Sequence, residues 1–439
     1  MDAFADKLGR IGAWCGQNKY LGAIKNAFQN FMPATIAGAI GVLWTNVLVH
    51  EVTGLGAIWK PIMALQPLNP IFAAIQFATI SCIAIGVVML VAQEIGEANG
   101  ESGAYPAVLG FIAWMTVTPT AHTLADFVNA KGEAASFTGI AGSYTGATGL
   151  FTALIIGILS MEIYGWLRKQ DALKIKMPEQ VPPGVARAFE VLIPSFIMLV
   201  IVGGLGELLH ATTGMYVNDA ISKYLQAPLT KIIGDNLFAV MIMYAIISLF
   251  WLVGIHGNNM LAAVKEPIFK PMLYTNTALF QQGATEGYHT FNLTMMQMFA
   301  EWGGSGVTLG LVIAIFIFGK REDNRAIATL SVVPGLFNIN ETVTFGIPLV
   351  LNPILGIPFI LAPMVCVAIG YFLIQTGICP PVVIEVPWTM PPVILGFLAT
   401  GGSFMGAVSQ LIVIVVATLI YIPFVIMYER FQNKEAAEA

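Results

Sequence analysis

The sequence predicts an all-α polytopic membrane protein with about ten transmembrane helices, re-entrant hairpins and an N-terminal amphipathic helix. Of its 439 residues, 57% are hydrophobic and only 10% are charged, with a mean hydropathy of +0.78. Soluble domains average about 45–50% apolar and about 25% charged residues. Apolar runs of roughly 17–25 residues, the length that crosses a bilayer, recur from residue 31 onward. Several of the later runs are interrupted by proline and polar residues, which indicates broken helices.

Residues 1–30 predict an amphipathic segment on the cytoplasmic membrane surface, because apolar side chains alternate there with lysine and arginine. They lack an apolar core long enough for a cleavable signal peptide. Residues 31–187 form a predicted N-terminal half, which we expect to act as scaffold and dimer interface. Its predicted spans are Phe31–His50, Ile71–Gln93, Tyr105–His122, broken by Pro119, and Gly149–Leu167. The polar stretch Arg168–Arg187 follows four crossings and is therefore expected to be cytoplasmic.

Residues 188–430 form a less regular C-terminal half, which we expect to carry the transport site, and residues 431–439 form a cytoplasmic tail. Its predicted spans are Phe189–His210, Leu237–Gly254, Gly306–Gly319, Ile354–Gly377 and Phe404–Tyr428. Between residues 258 and 305 the number of crossings does not agree with the charge distribution. Part of residues 270–302 must cross or enter the membrane. Lys265, Glu266 and Lys270 flank Pro267, and we expect them in a surface loop.

The segment Ser331–Pro353 is apolar enough for a membrane, yet three prolines and a glycine interrupt it and Glu341 lies in its middle. Proline removes a backbone donor, and irregular backbone at membrane depth is tolerated only where it is buried in protein or lines a cavity. An intramembrane carboxylate indicates a functional site. No basic residue lies inside a predicted span to pair with Glu341. Asn338 and Asn340 suit sugar hydroxyls and equally suit capping of the broken helix.

A second candidate stretch places His256 and Gly257 at the end of an apolar run, followed by Asn258. Glycine permits close approach of the backbone to a ligand, and imidazole can donate or accept a hydrogen bond. A structural role for His256 fits the pattern equally well. Trp388, in a proline-rich stretch, could stack on a sugar ring or lie at the membrane interface.

Other site classes are not indicated. The four cysteines are widely spaced and make no metal-binding pattern, so we expect buried thiols, no metal site and no cofactor. The sequence has no HExxH, phosphate-binding loop or GxSxG motif. It has no basic patch for nucleic acid. One histidine and one glutamate among asparagine, glycine and tryptophan indicate a polyol-binding site rather than an ion relay.

These stretches resemble a known family. The segment GIHG at Gly254–Gly257, NINETVTFGIPLVLNP at Asn338–Pro353 and PWTMPP at Pro387–Pro392 are similar to the membrane IIC component of bacterial phosphotransferase systems. Within that superfamily they most resemble the lactose, cellobiose and diacetylchitobiose group. The resemblance covers about residues 18–430. Thr342 stands where many relatives carry proline after the glutamate.

The resemblance implies a homodimer in the bacterial cytoplasmic membrane, with cytoplasmic termini and a sugar site in an elevator-like transport domain. It implies that Glu341 assists the sugar's primary hydroxyl. It also implies that His256 contacts the sugar, with Asn340 and Trp388 as further contacts, and we expect the neighbouring Gly257 and Asn258 to belong to the same binding site. A separate IIB protein would donate phosphate from a phosphocysteine, so the chain would not phosphorylate sugar alone. We expect a β-linked disaccharide such as cellobiose.

Three other classes compete with this interpretation. An ion-coupled secondary transporter would use Glu341 as its proton or cation site and would need no IIB protein. An intramembrane glycosyl-transfer or hydrolytic enzyme would need two convergent carboxylates, and the sequence shows one clear deep carboxylate. A channel-like structural protein is disfavoured by the broken acidic segment.

Overall fold

The computed structural model describes residues 10–11, 13–14, 17–51, 55–128, 134–178 and 180–438. It is predominantly helical, which confirms the predicted fold class, and it adds one two-stranded antiparallel hairpin, β1 Ala121–Val128 and β2 Ala134–Thr138. Within this part of the chain, five helices are long and apolar enough to cross a membrane, or up to eight if each of three bent helix pairs is one span. The number of about ten spans stays a prediction.

The chain divides into two compact units. The smaller unit comprises Asn18–Thr35 and Phe77–Pro228, and the larger contains residues 36–76 and 229–438. The sequence-based division into a scaffold half and a transport half, with its boundary at residue 187, stays a prediction.

Helix α1, Lys19–Leu43, continues as a π-turn over Trp44–Leu48. The helix continues without a break through residue 30, and the surface location of residues 1–30 stays a prediction. Short helical pieces follow: α2 Leu55–Ile58, a 3-10 helix Lys60–Leu68 and α3 Asn69–Thr79. The predicted span Ile71–Gln93 is in fact two helices, α3 and α4 Ile83–Ala98, bent by 42°.

The remaining helices of the smaller unit follow in chain order. They are α5 Tyr105–Thr116, α6 Gly142–Thr145, a 3-10 turn Ala147–Gly149, α7 Leu150–Arg168, a 3-10 turn Asp171–Leu173, α8 Pro183–Thr213, α9 Val217–Ile221, a π-turn Ser222–Gln226 and α10 Ala227–Leu229. Helix α4 packs against α5 and α7, and α8 packs against α5 and α7. Helix α5 ends before Pro119, as predicted.

The helices after residue 229 belong to the larger unit. They are a π-turn Thr230–Gly234, α11 Leu237–Leu252, α12 Gly257–Gln281, α13 Leu293–Ala300, a 3-10 turn Ser305–Val307, α14 Leu309–Phe318, α15 Glu322–Leu336, α16 Glu341–Gly346, α17 Gly356–Gln375, α18 Ile394–Ala399 and α19 Phe404–Glu438. Helices α11, α17 and α19 lie side by side, and α14 packs against α19.

The region between residues 258 and 305, which the sequence left unresolved, is a 25-residue helix, an irregular loop and the short helix α13. The expected surface loop around Pro267 is wrong, because Pro267 and Pro271 lie inside α12. Lys265 and Lys270 are buried in that helix, where ion pairs with carboxylates offset their desolvation. Proline inside a membrane helix is tolerated where neighbouring groups satisfy the freed carbonyl.

Candidate functional site

His256 sits at the turn between α11 and α12. Gly254 closes α11 in the left-handed conformation, at φ +79°, which glycine adopts without strain. His256 then caps α12, and its Nδ1 accepts a hydrogen bond from the backbone N–H of Asn259 at 3.2 Å. An accepting Nδ1 places the proton of the neutral imidazole on Nε2. The ring centroid lies 4.5 Å from that of Trp251, so the imidazole is oriented by two neighbours and keeps Nε2–H as a donor.

Gly257 approaches protein backbone rather than open space. A Cβ built on Gly257 would lie 2.0 Å from the carbonyl oxygen of Ile247 in α11. No other residue type fits at this crossing without displacing α11 or α12. The glycine therefore permits the close helix crossing that sets the position of His256.

Asn258 belongs to a chain of buried polar groups that the sequence analysis did not anticipate. Its Oδ1 accepts from the Lys265 ammonium at 3.1 Å, and its Nδ2 donates to the Ser305 hydroxyl at 3.1 Å. Lys265 also pairs with Glu301 at 2.6 Å, and Glu301 accepts from the Tyr244 hydroxyl at 2.9 Å. Both atoms of the Asn258 amide are thus engaged with protein, and their orientation is fixed by a charge.

The predicted interruption of Ser331–Pro353 is present. Helix α15 ends at Leu336, four irregular residues follow, and the six-residue α16 begins at Glu341. Asn338 adopts φ +63°, in the left-handed region that asparagine tolerates better than most residues. Its side chain accepts from the N–H of Gly303 at 2.7 Å and donates to the carbonyls of Trp388 and Met390 at 2.6 and 3.0 Å. Asn338 therefore ties three irregular segments together.

Asn340 packs against the glycine-rich turn Gly303–Gly306. Its Nδ2 donates to the carbonyl of Ser305 at 3.0 Å. A Cβ on Gly304, which has φ +87°, would lie 2.6 Å from the Cβ of Asn340. This contact requires glycine both for its conformation and for the missing side chain. These contacts consequently fix the position of Asn340, the residue before Glu341, relative to the turn.

Glu341 is exposed at the start of α16. Within the described part of the chain its carboxylate has no hydrogen bond or ion pair that competes for a ligand. Hydrogen bonds from Asn258 to the Ser305 hydroxyl and from Asn340 to the Ser305 carbonyl join the start of α12, which follows His256, to the residue before Glu341. The structure thus places the predicted acid and the predicted histidine on segments that meet at Ser305, although they are 85 residues apart in the sequence.

Contacts with α19 show where the glycine-rich turn lies along this helix. The Tyr421 hydroxyl donates to the carbonyl of Gly306 at 2.7 Å, which places Tyr421 level with the glycine-rich turn. Eight residues later, Glu429 accepts from the N–H groups of Lys320 and Arg321 at 2.7 and 3.3 Å. At 1.5 Å per helical residue, the glycine-rich turn lies about 12 Å along α19 from Glu429.

The segment between α17 and α18 carries Trp388, whose side chain is 43% exposed. Helix α12 holds this segment through its side chains. Asn276 donates to the carbonyl of Val382 at 2.9 Å, and Thr277 donates to that of Val383 at 2.6 Å. Further along, the Tyr274 hydroxyl donates to the buried Glu385 at 2.6 Å. This anchoring fixes the backbone that leads to Trp388.

Two assumptions of the sequence analysis are corrected by these contacts. Lys265 and Lys270 lie inside the folded unit, so basic residues are present among the apolar helices. Glu301 and Glu385 are largely buried, so Glu341 is not the one deep carboxylate. The signal that could have revealed them is an isolated lysine or glutamate in an apolar context, which at membrane depth demands a partner. Lys270 is such a case, lying 3.3 Å from Glu266 and 3.7 Å from Glu385.

Comparison with known proteins identifies the family. The profile described as "Phosphotransferase system, EIIC" matches residues 25–363. The chain belongs to this EIIC family. It is 32% identical to the PTS system cellobiose-specific EIIC component of Lactococcus lactis subsp. lactis (strain IL1403), over 97% of each chain. It is also 32% identical to the lichenan permease IIC component of Bacillus subtilis (strain 168), over 97% of this chain and 92% of that one.

A solved structure agrees with the assignment. The fold matches the transporter ChbC, the IIC component of the N,N'-diacetylchitobiose-specific phosphotransferase system, with a TM-score of 0.89 at 30% identity over 98% of each chain. The resemblance drawn from the sequence motifs is therefore confirmed, as is the prediction of a membrane-embedded EIIC sugar permease. EIIC membership disfavours the ion-coupled alternative.

Proposed function

We propose that this EIIC protein binds a β-linked disaccharide of the cellobiose type at the group formed by His256, Glu341 and Trp388. The observation that carries the proposal is that the segments bearing His256 and Glu341 are joined at Ser305 and offer an imidazole with a free donor and an unpaired carboxylate. A carboxylate accepts hydrogen bonds and Nε2–H donates one, so together they suit a sugar hydroxyl, which does both. Each hydroxyl left without a partner in a dry interior would cost a few kcal/mol.

The remaining predicted site residues have different roles in sugar binding. Trp388 offers an exposed ring for the apolar face of a pyranose. Asn258 and Asn340 already bind protein groups through their amides, and Gly257 packs on backbone. We infer that these three contribute mainly by fixing the backbone around His256 and Glu341, with the spare lone pair of Asn258 Oδ1 as the further acceptor for the sugar.

The bound sugar is expected to be phosphorylated by a separate IIB protein at the cytoplasmic face. The sulfur–phosphorus bond of the phosphocysteine breaks as the primary hydroxyl oxygen forms its bond to phosphorus. The hydroxyl proton passes by way of Glu341 to water, which restores the carboxylate, and the thiolate leaves. The product is a dianion next to a carboxylate, so repulsion favours its release. The chain would not catalyse this transfer alone.

The cellular setting belongs to the same proposal. We expect a homodimer in the bacterial cytoplasmic membrane, with both termini and the Lys320–Arg325 turn on the cytoplasmic side, because basic loops favour that side. An elevator-like movement of the transport domain would carry the sugar across. The names of the similar proteins described above refer to cellobiose, lichenan and diacetylchitobiose. These names support a β-linked sugar as the substrate class.

The test is equilibrium binding of cellobiose, lactose, diacetylchitobiose and glucose to the purified protein, with Glu341→Gln and His256→Ala beside the wild type. One disaccharide should bind selectively, and both variants should lose it. Glu341→Gln should keep the wild-type melting temperature, because the side chain is exposed, yet abolish uptake coupled to phosphorylation. Wild-type uptake in Glu341→Gln, or binding that neither variant alters, would place the sugar elsewhere.

A further inference from the structure

Lys265 and Glu301 form a buried ion pair inside the larger unit. The Lys265 residue is 5% exposed, and its ammonium lies 2.6 Å from Glu301 Oε1. Their mutual attraction only offsets the cost of removing two charges from water, and a buried pair often adds no net stability over apolar residues. Stability alone is therefore a weak reason for this pair, and its contacts indicate a second one.

The pair is the beginning of a hydrogen-bonded chain that ends next to Glu341. Lys265 donates to Asn258 Oδ1, and Asn258 Nδ2 donates to the Ser305 hydroxyl. The backbone carbonyl of Ser305 in turn accepts from Asn340 Nδ2. Asn340 immediately precedes Glu341. Four separate elements, α12, the end of α13, the glycine-rich turn and the start of α16, are connected by these bonds.

The ammonium also decides which way the Asn258 amide faces. An amide can exchange its oxygen and nitrogen by rotating about its last bond, and only its partners select one orientation. A charged donor at 3.1 Å on one side requires the oxygen there, which directs the NH₂ group towards Ser305. Removal of the ammonium would leave the amide free to turn and Ser305 without its donor.

We propose that Lys265 and Glu301 are positioning residues of the sugar site, which set the Asn258 amide and, through Ser305 and Asn340, the place of Glu341. The proposal rests on the proposed sugar binding. The pair acts through the protein and does not touch the sugar. Its loss should weaken sugar binding in a protein that still folds.

The main variant is Lys265→Met/Glu301→Gln, which removes both charges and leaves no unpaired buried ion. The amide oxygen introduced by Glu301→Gln can still accept from Tyr244. The matched control is Lys19→Met/Glu162→Gln in the smaller unit, which removes an ion pair of the same 2.6 Å length far from the site in sequence. Thermal melting measures folding, and calorimetric titration with cellobiose and with N,N'-diacetylchitobiose measures affinity.

The site variant should melt as one cooperative transition and bind the disaccharide at least tenfold more weakly, while the control variant binds as the wild type. Wild-type affinity in a folded site variant would overturn the proposal. If the site variant does not fold, Lys265→Arg is the second test. It keeps the charge but cannot place a donor at both 2.6 and 3.1 Å with the same geometry. A folded Lys265→Arg protein should lose at least threefold in affinity, and unchanged affinity would contradict the proposal.

A thermodynamic cycle with Asn258→Ala separates positioning from direct contact. If the pair acts through Asn258, adding Lys265→Met/Glu301→Gln to Asn258→Ala should cause little further loss of affinity. Fully additive losses would indicate that Glu301 or Lys265 binds the sugar itself, which contradicts the proposed route. A wild-type protein that binds none of the disaccharides would instead refute the proposed function, before any variant is compared.

Discussion

Replacing Gly257 with alanine tests whether the helix crossing positions His256. The new Cβ would lie 2.0 Å from the Ile247 carbonyl oxygen and 2.7 Å from its carbon. Ordinary van der Waals contact begins at 3.4 Å, so α11 and α12 must separate by about 1.4 Å there, the difference between 3.4 and 2.0 Å. Neither contact is with a flexible side-chain end. Overpacking of this kind costs about 1–3 kcal/mol.

The measurements are thermal melting in detergent and disaccharide titration. At about 2–4 °C per kcal/mol for a folding unit of this size, the melting temperature should fall by roughly 2–12 °C. Sugar affinity should fall too, because His256 moves with the first turn of α12. Gly184→Ala is the matched control: it lies at the start of α8 with no atom within 4 Å of its Cβ, so it should be neutral or slightly stabilising. A Gly257→Ala protein with wild-type melting and affinity would refute the reasoning.

Three further substitutions test contacts away from the sugar. Glu101→Gln removes the charge of a carboxylate that accepts from Arg168, Arg187 and Tyr164, and should destabilise the protein by about 2–4 kcal/mol. Thermal melting measures this loss, and the control Asp171→Asn, at an exposed residue, should leave the melting temperature unchanged. Glu429→Ala leaves the Lys320 and Arg321 N–H groups without their acceptor and should cost about 2–3 kcal/mol, whereas Glu438→Ala at the exposed chain end should not alter the melting curve. Tyr421→Phe removes the bond to Gly306 and should cost about 1–2 kcal/mol. If Tyr421→Phe melts like the wild type, the level of the glycine-rich turn is not set by α19.

Much of the helical architecture could be predicted because spanning helices are long and uniformly apolar. The runs at Gly149–Leu167 and Ile354–Gly377 coincide with α7 and α17 within two residues at each end. The interruption around Asn338 was also predictable, because proline and a lone carboxylate contradict a regular span. Local composition carries this information.

The buried ion pairs could not be predicted because their partners are distant in sequence. Lys265 and Glu301 are 36 residues apart, and each alone resembles a loop residue. Prolines 267 and 271 reinforced that impression, although α12 accommodates both. Likewise, the local sequence of Gly303–Gly306 does not indicate the role of this turn, since that role depends on the approach of Asn340. Such features depend on residues that are neighbours in the folded protein but distant in sequence, so one amino-acid sequence gives little indication of them.

The bonds from Asn338 to the carbonyls of Trp388 and Met390 have a consequence for engineering sugar specificity. The Asn338 side chain joins the segment around Glu341 to the backbone of the segment around Trp388. The two segments therefore form one module that should be exchanged as a whole. In a chimaera that takes only residues 379–392 from a relative, the carbonyls at positions 388 and 390 would be positioned for that relative's own residue at position 338 and not for Asn338. Exchanging both segments together, with the Gly303–Gly306 turn, keeps the module intact. Altered selectivity is best sought in such joint grafts.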